Sequence, residues 1–106
     1  MAKAEAYLGF AIKKRSVVKG FNAISYEKRV FLLILCSTAS ENAVKEAKSL
    51  ARKFSCPLLL SKTRTVEELV HKENCKLIAV TDQGLARAIS EHVESDFDFV
   101  REETNN

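Results

Sequence analysis

The feature that most constrains the fold is a run of seven apolar residues at positions 30–36. Successive side chains of a strand point to opposite faces, so such a run predicts a strand that is buried on both sides. Residues 57–60 and 76–80 form two further apolar strand segments, and helical patterns separate the three. The alternation of strands and helices from residue 30 to residue 93 predicts an α/β fold with helices on both faces of one sheet.

Polar residues mark where the predicted helices begin. A Thr followed three positions later by Glu has the form of a capping box, and Asp or Asn before a helix can accept hydrogen bonds from its first N–H groups. The expected caps are Thr38 with Glu41, Thr65 with Glu68, Asp82, and Asn22 before a brief helix.

Chain length and cysteine usage limit the class of protein. A chain of 106 residues suits one domain, predicted at residues 1–93 and followed by an acidic C-terminal tail at 94–106. Residues 95–100 alternate polar and apolar side chains, which is compatible with an edge strand or a docked segment, whereas disorder is expected from residue 102 onward. No apolar run approaches the ~20 residues of a membrane span, and three cysteines without paired spacing favour a cytoplasmic protein over a disulfide scaffold.

The sequence offers little support for catalysis. The three glycines belong to no phosphate-binding loop, and the two histidines have no nucleophile at a recognisable spacing. Cys36 follows a predicted strand, where a nucleophilic thiol can lie, but no sequence-local base accompanies it and a packed thiol is expected. Glu67 and Glu68 are interpreted as acids of a first helical turn. We therefore expect a protein that is not an enzyme and has no cofactor or metal.

Charge is distributed unevenly along the chain. Residues 1–29 contain seven basic and two acidic residues, whereas residues 91–106 contain one basic and six acidic residues. A basic leading third with an acidic tail fits a surface that binds a polyanion, and a well-mixed solvated surface is the alternative. We expect structured RNA as the partner. A small domain can bind it because binding needs only cations that contact the phosphates and a few groups that contact exposed bases.

The leading third supplies candidate residues for that role. Phosphate contacts are expected from its cations, and base contacts from the turn that follows them. Gly20 is equally consistent with a simple turn, Asn22 with a helix cap, and Phe21 with a place in the core. The predicted RNA-binding residues are Lys13, Lys14, Arg15, Lys19, Gly20, Phe21, Asn22, Lys28 and, from a later loop, Lys72.

Three segments of the chain resemble one known family. Residues 8–20 (LGFAIKKRSVVKG) resemble the family opening L-G-L-A-x-R-A-x-K-V-V-x-G, and residues 33–42 (LILCSTASEN) resemble its segment L-L-A-S-D-A-S-E-N. Residues 78–89 (IAVTDQGLARAI) resemble A-V-T-D-x-G-F-A-K-A-I of its small bacterial members. Over residues 7–90 the chain is thus similar to the ribosomal L-seven-Ae family, within the L-thirty-e-like group.

The resemblance implies a three-layer α/β/α sandwich around a mixed sheet of about four strands. It also implies a non-enzymatic RNA-binding protein of ribosomal type, because family members commonly bind kink-turns or related internal loops in RNA and several are ribosomal proteins. The family contact motif G-x-N-E-x-x-K is matched by Gly20 and Asn22, whereas Ala23 and Tyr26 replace its glutamate and lysine. Residues 71–74 correspond to a second contact loop of the family.

These departures leave a second hypothesis open. The same fold can serve as a protein-interaction module that has lost kink-turn recognition, and the segment after Gly20 is shorter here than in the family. On this hypothesis the C-terminal tail, with Phe97 and Phe99, contacts a protein partner or a second copy of the chain.

Overall fold

The apolar segments form a five-stranded mixed sheet in a computed structural model that describes residues 3–62, 64–93 and 97–100. Helices and strands alternate along the chain. In order, the elements are α1 (Lys3–Lys13), β1 (Val17–Lys19), α2 (Phe21–Ser25), β2 (Leu32–Leu35), α3 (Glu41–Phe54), β3 (Leu58–Ser61), α4 (Val66–Val70), β4 (Leu77–Val80), α5 (Gln83–Glu91) and β5 (Phe97–Phe99).

The continuous apolar run explains why β2 lies at the centre of the fold. Leu32 and Ile34 pack against α1, α4 and α5 on one face of the sheet, and Leu33 and Leu35 pack against α2 and α3 on the other. All four side chains are completely buried. The prediction of a three-layer α/β/α sandwich is therefore confirmed.

The sheet has one strand more than the expected four. The strand order is β1-β4-β2-β3-β5, with β2 and β3 parallel and the other neighbours antiparallel. The extra strand is β5, whose residues were predicted to belong to the C-terminal tail, and it pairs with β3 because Phe97 is buried in the α1-side core. The tail beyond residue 100 lies outside the described residues.

The register divides the residues around the sheet into two groups. Lys19 pairs with Ile78 and Leu35 with Leu77, so β1 and β2 both end where β4 begins. At the opposite end, Val17 and Leu32 both pair with Val80. We call the first the Gly20 end (Lys19–Asn22, Cys36–Thr38 and residues 67–76) and the second the Arg29 end (Lys14–Ser16, Tyr26–Phe31, Arg52–Pro57 and Thr81–Asp82).

Two of the four expected caps are correct and two are wrong. Thr65 forms the capping box with Glu68, and Asp82 accepts from the Leu85 N–H at 2.8 Å. The helix predicted to begin at Thr38 begins instead after Ser40, whose hydroxyl accepts from the Ala43 N–H at 3.2 Å. Asn22 lies inside α2, and Gly20 occupies the N-cap position without a side-chain cap.

Candidate nucleic-acid interface

The nine predicted RNA-binding residues do not lie on one surface. Because β1 has only three residues, it carries the chain from one end of the sheet to the other within the basic leading third. The Gly20 end holds Lys19, Gly20, Phe21, Asn22 and Lys72, whereas the Arg29 end holds Lys14, Arg15 and Lys28. Lys13 lies apart from these three, on the face of α1 that lines a depression with Arg64 and His71.

At the Gly20 end, the backbone turns sharply between β1 and α2. Gly20 has φ 93° and ψ 148°, a conformation that only glycine adopts without strain. Its N–H donates to the Leu77 carbonyl at 2.9 Å, and its carbonyl accepts from the Ile24 N–H at 3.0 Å. These two bonds hold the turn against β4 and fix where α2 begins.

The residues after this turn divide between surface and core. The Asn22 side chain is exposed, while its carbonyl accepts from the Ser25 hydroxyl at 2.6 Å. Phe21 is half-buried and packs against the core cluster beneath α2 and α3. Asn22 can therefore reach a ligand without rearrangement, whereas much of the Phe21 ring is committed to packing.

A loop before β4 completes this end of the molecule. His71 and Asn74 both have positive φ angles, of 55° and 59°, so the loop reverses direction within a few residues. The Asn74 N–H donates to Glu67 Oε2 at 2.8 Å, which ties the loop to α4. Lys72 is exposed on this loop, five residues before β4 begins, and Lys19 pairs with Ile78 in β4. Lys19 and Lys72 thus flank the same edge.

Three side chains that were not predicted from the sequence connect the loop to β2. Lys76 Nζ donates to Glu67 Oε1 at 3.0 Å and to Thr38 Oγ1 at 2.9 Å. The hydrogen bond to Glu67 raises the pKa of Lys76, which keeps it charged. Glu67 is more than a first-turn helix acid because it bonds both the loop backbone and Lys76. Nothing in the local sequence indicates these long-range partners.

Cys36 lies beneath this network. The thiol is buried, and its Sγ lies 3.0 Å from Thr38 Oγ1. Burial raises the pKa of Cys36, but hydrogen bonds from Thr38 and the Val66 backbone, together with the Lys76 charge, outweigh it and leave the pKa below its ordinary value. The network therefore offsets the effect that burial has on the pKa of this thiol.

The cations at the Arg29 end have a different setting. Lys14 forms an ion pair with Asp82, the N-cap of α5, and this bond and that from the Leu85 N–H lower the pKa of Asp82. Lys28 and Arg29 are exposed and line a depression of about 340 Å³ together with Lys53. Phosphate groups can reach these side chains from solvent.

Two further observations on the described part of the chain concern metals and membranes. Within residues 3–62, 64–93 and 97–100, no group of three or more His, Cys, Asp or Glu side chains is placed to hold a metal ion. None of the helices formed by those residues is long and apolar enough to cross a membrane.

Comparison with known proteins identifies the fold but no family. No protein-family model matches the chain, and no curated protein matches it. A solved structure of a protein with unknown function from Bacillus halodurans C is similar, with a TM-score of 0.72 and 24% sequence identity. The similarity covers 86% of this chain and 96% of that one. The α/β sandwich described above is therefore shared with a protein of known structure.

Proposed function

We propose that this protein is a non-catalytic RNA-binding protein, of the ribosomal, kink-turn-binding type that its sequence resembles, and that it binds structured RNA through the Gly20 end. The observation that carries the proposal is a fixed glycine turn held against β4, with Lys19 before the turn, an exposed Asn22 after it and Lys72 on the loop that leads into β4. Cations position the phosphate backbone, and an exposed amide can hydrogen-bond to a base edge and discriminate between bases.

The geometry suits folded RNA better than a uniform duplex. Sequence-specific RNA recognition acts mainly on bases splayed out in loops and bulges. The Gly20 turn, which carries no Cβ, allows close approach, and an atom at its Cβ position would meet no protein atom within 4 Å. The match of Gly20 and Asn22 to the family contact motif supports the same end of the molecule. Such binding would take place in the cytoplasm, where the free thiols Cys36, Cys56 and Cys75 remain reduced.

Filter binding of the purified protein to a kink-turn RNA and a plain duplex, each at several salt concentrations, tests the proposal. Asn22→Ala removes an exposed side chain that caps no helix and should reduce the preference for the kink-turn by about 1–3 kcal/mol. The double variant Lys19→Ala/Lys72→Ala should weaken binding to both RNAs and reduce the magnitude of the salt slope by about 0.7–0.9 for each phosphate that is no longer neutralised.

Arg87→Ala is the matched control, because Arg87 is an exposed cation on α5, outside both ends of the sheet. It should bind like the parent apart from a small non-specific loss. If the kink-turn and the duplex bind equally well to parent and Asn22→Ala proteins, the proposed base contact is wrong. Absence of binding to either RNA at low salt overturns the proposal as a whole.

A protein-interaction module is the second candidate function, and one observation favours it. Strand β5 pairs with β3 on one side, and its Phe99 ring is 49% exposed. An edge strand with an exposed aromatic side chain is a typical site of strand addition. Concentration-dependent dimerisation in sedimentation equilibrium, abolished by Phe99→Ser and combined with no RNA binding, would support this candidate instead.

A further inference from the structure

The Arg29 end carries a cluster of exposed cations that the proposed binding at the Gly20 end does not use. Lys28, Arg29 and Lys53 are exposed and line one depression of about 340 Å³. Lys53 is held at its rim, since Nζ donates to the Ser25 carbonyl at 2.8 Å and lies 5.3 Å from the centroid of the Phe54 ring. Two apolar side chains, Phe31 and Pro57, help form its floor.

Helix dipoles explain only part of this charge. Arg52 and Lys53 occupy the last turn of α3, where cations complement the negative helix end. Lys28 and Arg29 belong to no helix, and they lie in the segment that leads into β2. The dipole argument therefore leaves these two cations without a structural reason.

Cations outnumber acids at the Arg29 end. Among the described residues at this end, the acids are Glu27, which is half-buried, and Asp82, which is paired with Lys14. Arg15 lies just before β1, where the Ser16 carbonyl accepts from the Thr81 N–H, and β1 and β2 are separated by one strand. This exposed cation therefore lies at the same end of the sheet as Lys28 and Arg29.

An exposed aromatic ring stands beside the cations. Tyr26 is 80% exposed, more than Phe10 or Phe99, and it directly follows Ser25, whose carbonyl binds Lys53. Its backbone N–H donates to the Ala23 carbonyl, so the residue is fixed as the C-cap of α2 while its ring faces solvent. Cations next to an exposed aromatic ring are the combination with which proteins bind single-stranded nucleic acid.

We propose that the Arg29 end is a second binding surface that takes a single-stranded RNA segment. The phosphates lie on Lys28, Arg29 and Lys53, and one base stacks on Tyr26. This surface extends from the C-terminal end of α2 toward the Arg29 end: Tyr26 is four residues after Asn22 on that helix and neighbours it, whereas Lys28 and Arg29 precede β2 at the opposite end of the sheet. One protein molecule can thus hold a folded RNA element at one end and an unpaired strand at the other.

Fluorescence anisotropy with a 5′-labelled oligouridylate of about ten nucleotides, within the usual site sizes for such proteins, tests the surface. Tyr26→Ala should weaken binding about 5- to 150-fold, the range for losing one stacked base, whereas Tyr26→Phe should bind like the parent. Lys28→Ala/Arg29→Ala should reduce the magnitude of the salt slope by about 1.4, the value for two single-strand phosphate contacts.

Phe10→Ala is the matched control for the aromatic substitution, because Phe10 is 57% exposed and lies on α1 among other lysines. It should leave oligouridylate binding unchanged. Thermal melts of all variants check that each one is folded. Tyr26 and Lys28 are exposed, so their substitution should not unfold the chain.

The results separate this proposal from the proposed function. Kink-turn binding with no oligouridylate binding overturns the second surface alone, and the reverse result overturns the Gly20-end proposal alone. Loss of oligouridylate binding in Lys19→Ala/Lys72→Ala, but not in Lys28→Ala/Arg29→Ala, also overturns the second surface. Equal affinity for poly-glutamate would do so too, because an acidic peptide gains nothing from base stacking on Tyr26.

Discussion

The two ends of the sheet present positive charge in different ways. At the Gly20 end, backbone turns and side-chain hydrogen bonds fix the surface: Glu67 bonds the Asn74 N–H and Lys76, and Lys76 also bonds Thr38. At the Arg29 end, long exposed side chains project from a short connecting segment around a shallow depression. The first arrangement fixes the backbone segments that carry Asn22 and Lys72, as base recognition requires, and the second supplies charge, as backbone binding requires.

One short helix joins the two ends, so they are not mechanically independent. Helix α2 begins at the Gly20 turn and ends beside Tyr26, and five helical residues separate these points. Ile24 is completely buried and anchors α2 against the core cluster beneath α3. The position of one end relative to the other therefore depends more on the buried Ile24 side chain than on any surface residue.

The largest expected effect follows from removing that anchor. Ile24→Ala should lower the free energy of unfolding by about 2–5 kcal/mol, because it loses buried apolar area and leaves a cavity. Hydrogen exchange should also rise at the N–H groups of both Gly20 and Tyr26. Urea unfolding and native-state hydrogen exchange measure the two effects. Asn22→Ala, an exposed change in the same helix, should stay within about 0.5 kcal/mol of the parent, and equal stabilities for the two variants would contradict α2 as the link.

A smaller effect confined to one end is expected at the glycine turn. Gly20→Ala should destabilise by about 1–3 kcal/mol, because alanine at φ 93° and ψ 148° is strained even though its Cβ meets no atom within 4 Å. Gly9 lies inside α1 with equally open space, so Gly9→Ala should stabilise by about 0.5–1 kcal/mol. Chemical denaturation of both variants checks the opposite signs. Gly20→Ala should also impair kink-turn binding while oligouridylate binding persists.

The layers of the fold could be predicted from the sequence because they depend on local pattern. The apolar run at 30–36 can be buried on both faces only in a central strand, and the cap at Thr65 is a contact between neighbours in the sequence. The cap predicted at Thr38 fails for a non-local reason: its hydroxyl accepts from Lys76, thirty-eight residues away, and lies against Cys36. Ser40 has no such partner and caps α3 instead.

The division of the candidate site could not be predicted in the same way. In sequence, Arg15 and Lys19 are four residues apart and look like parts of one basic segment. They lie at opposite ends because β1 is extended between them and pairs with β4, a strand some sixty residues later in the chain. A helix over the same residues would have placed the two on one face. The strand pairing, which no local pattern encodes, therefore determines the surface.

The smallest expected effect is a pH dependence of stability that arises from Asp82 at the Arg29 end. The Lys14 ammonium and the Leu85 N–H lower the pKa of Asp82 from the ordinary 3.8. The stability that these two contacts give the folded protein is therefore complete above pH 3.8 and is lost as the pH falls through the lowered pKa. Asp82→Asn keeps an oxygen acceptor for the helix cap but does not titrate. The parent should therefore melt at a higher temperature at about pH 6, and the difference should close toward about pH 2.

Glu68, whose pKa is lowered by hydrogen bonds from Thr65, is present in both proteins, and its acid sensitivity cancels in the comparison. Differential scanning calorimetry across this pH range measures the difference, and a gap that stays constant with pH would show that Lys14 and Asp82 are not coupled. At neutral pH the same substitution leaves Lys14 without its anion and adds one net positive charge to the Arg29 end. Oligouridylate binding should then tighten slightly while kink-turn binding is unchanged, because only one of the two surfaces has gained charge.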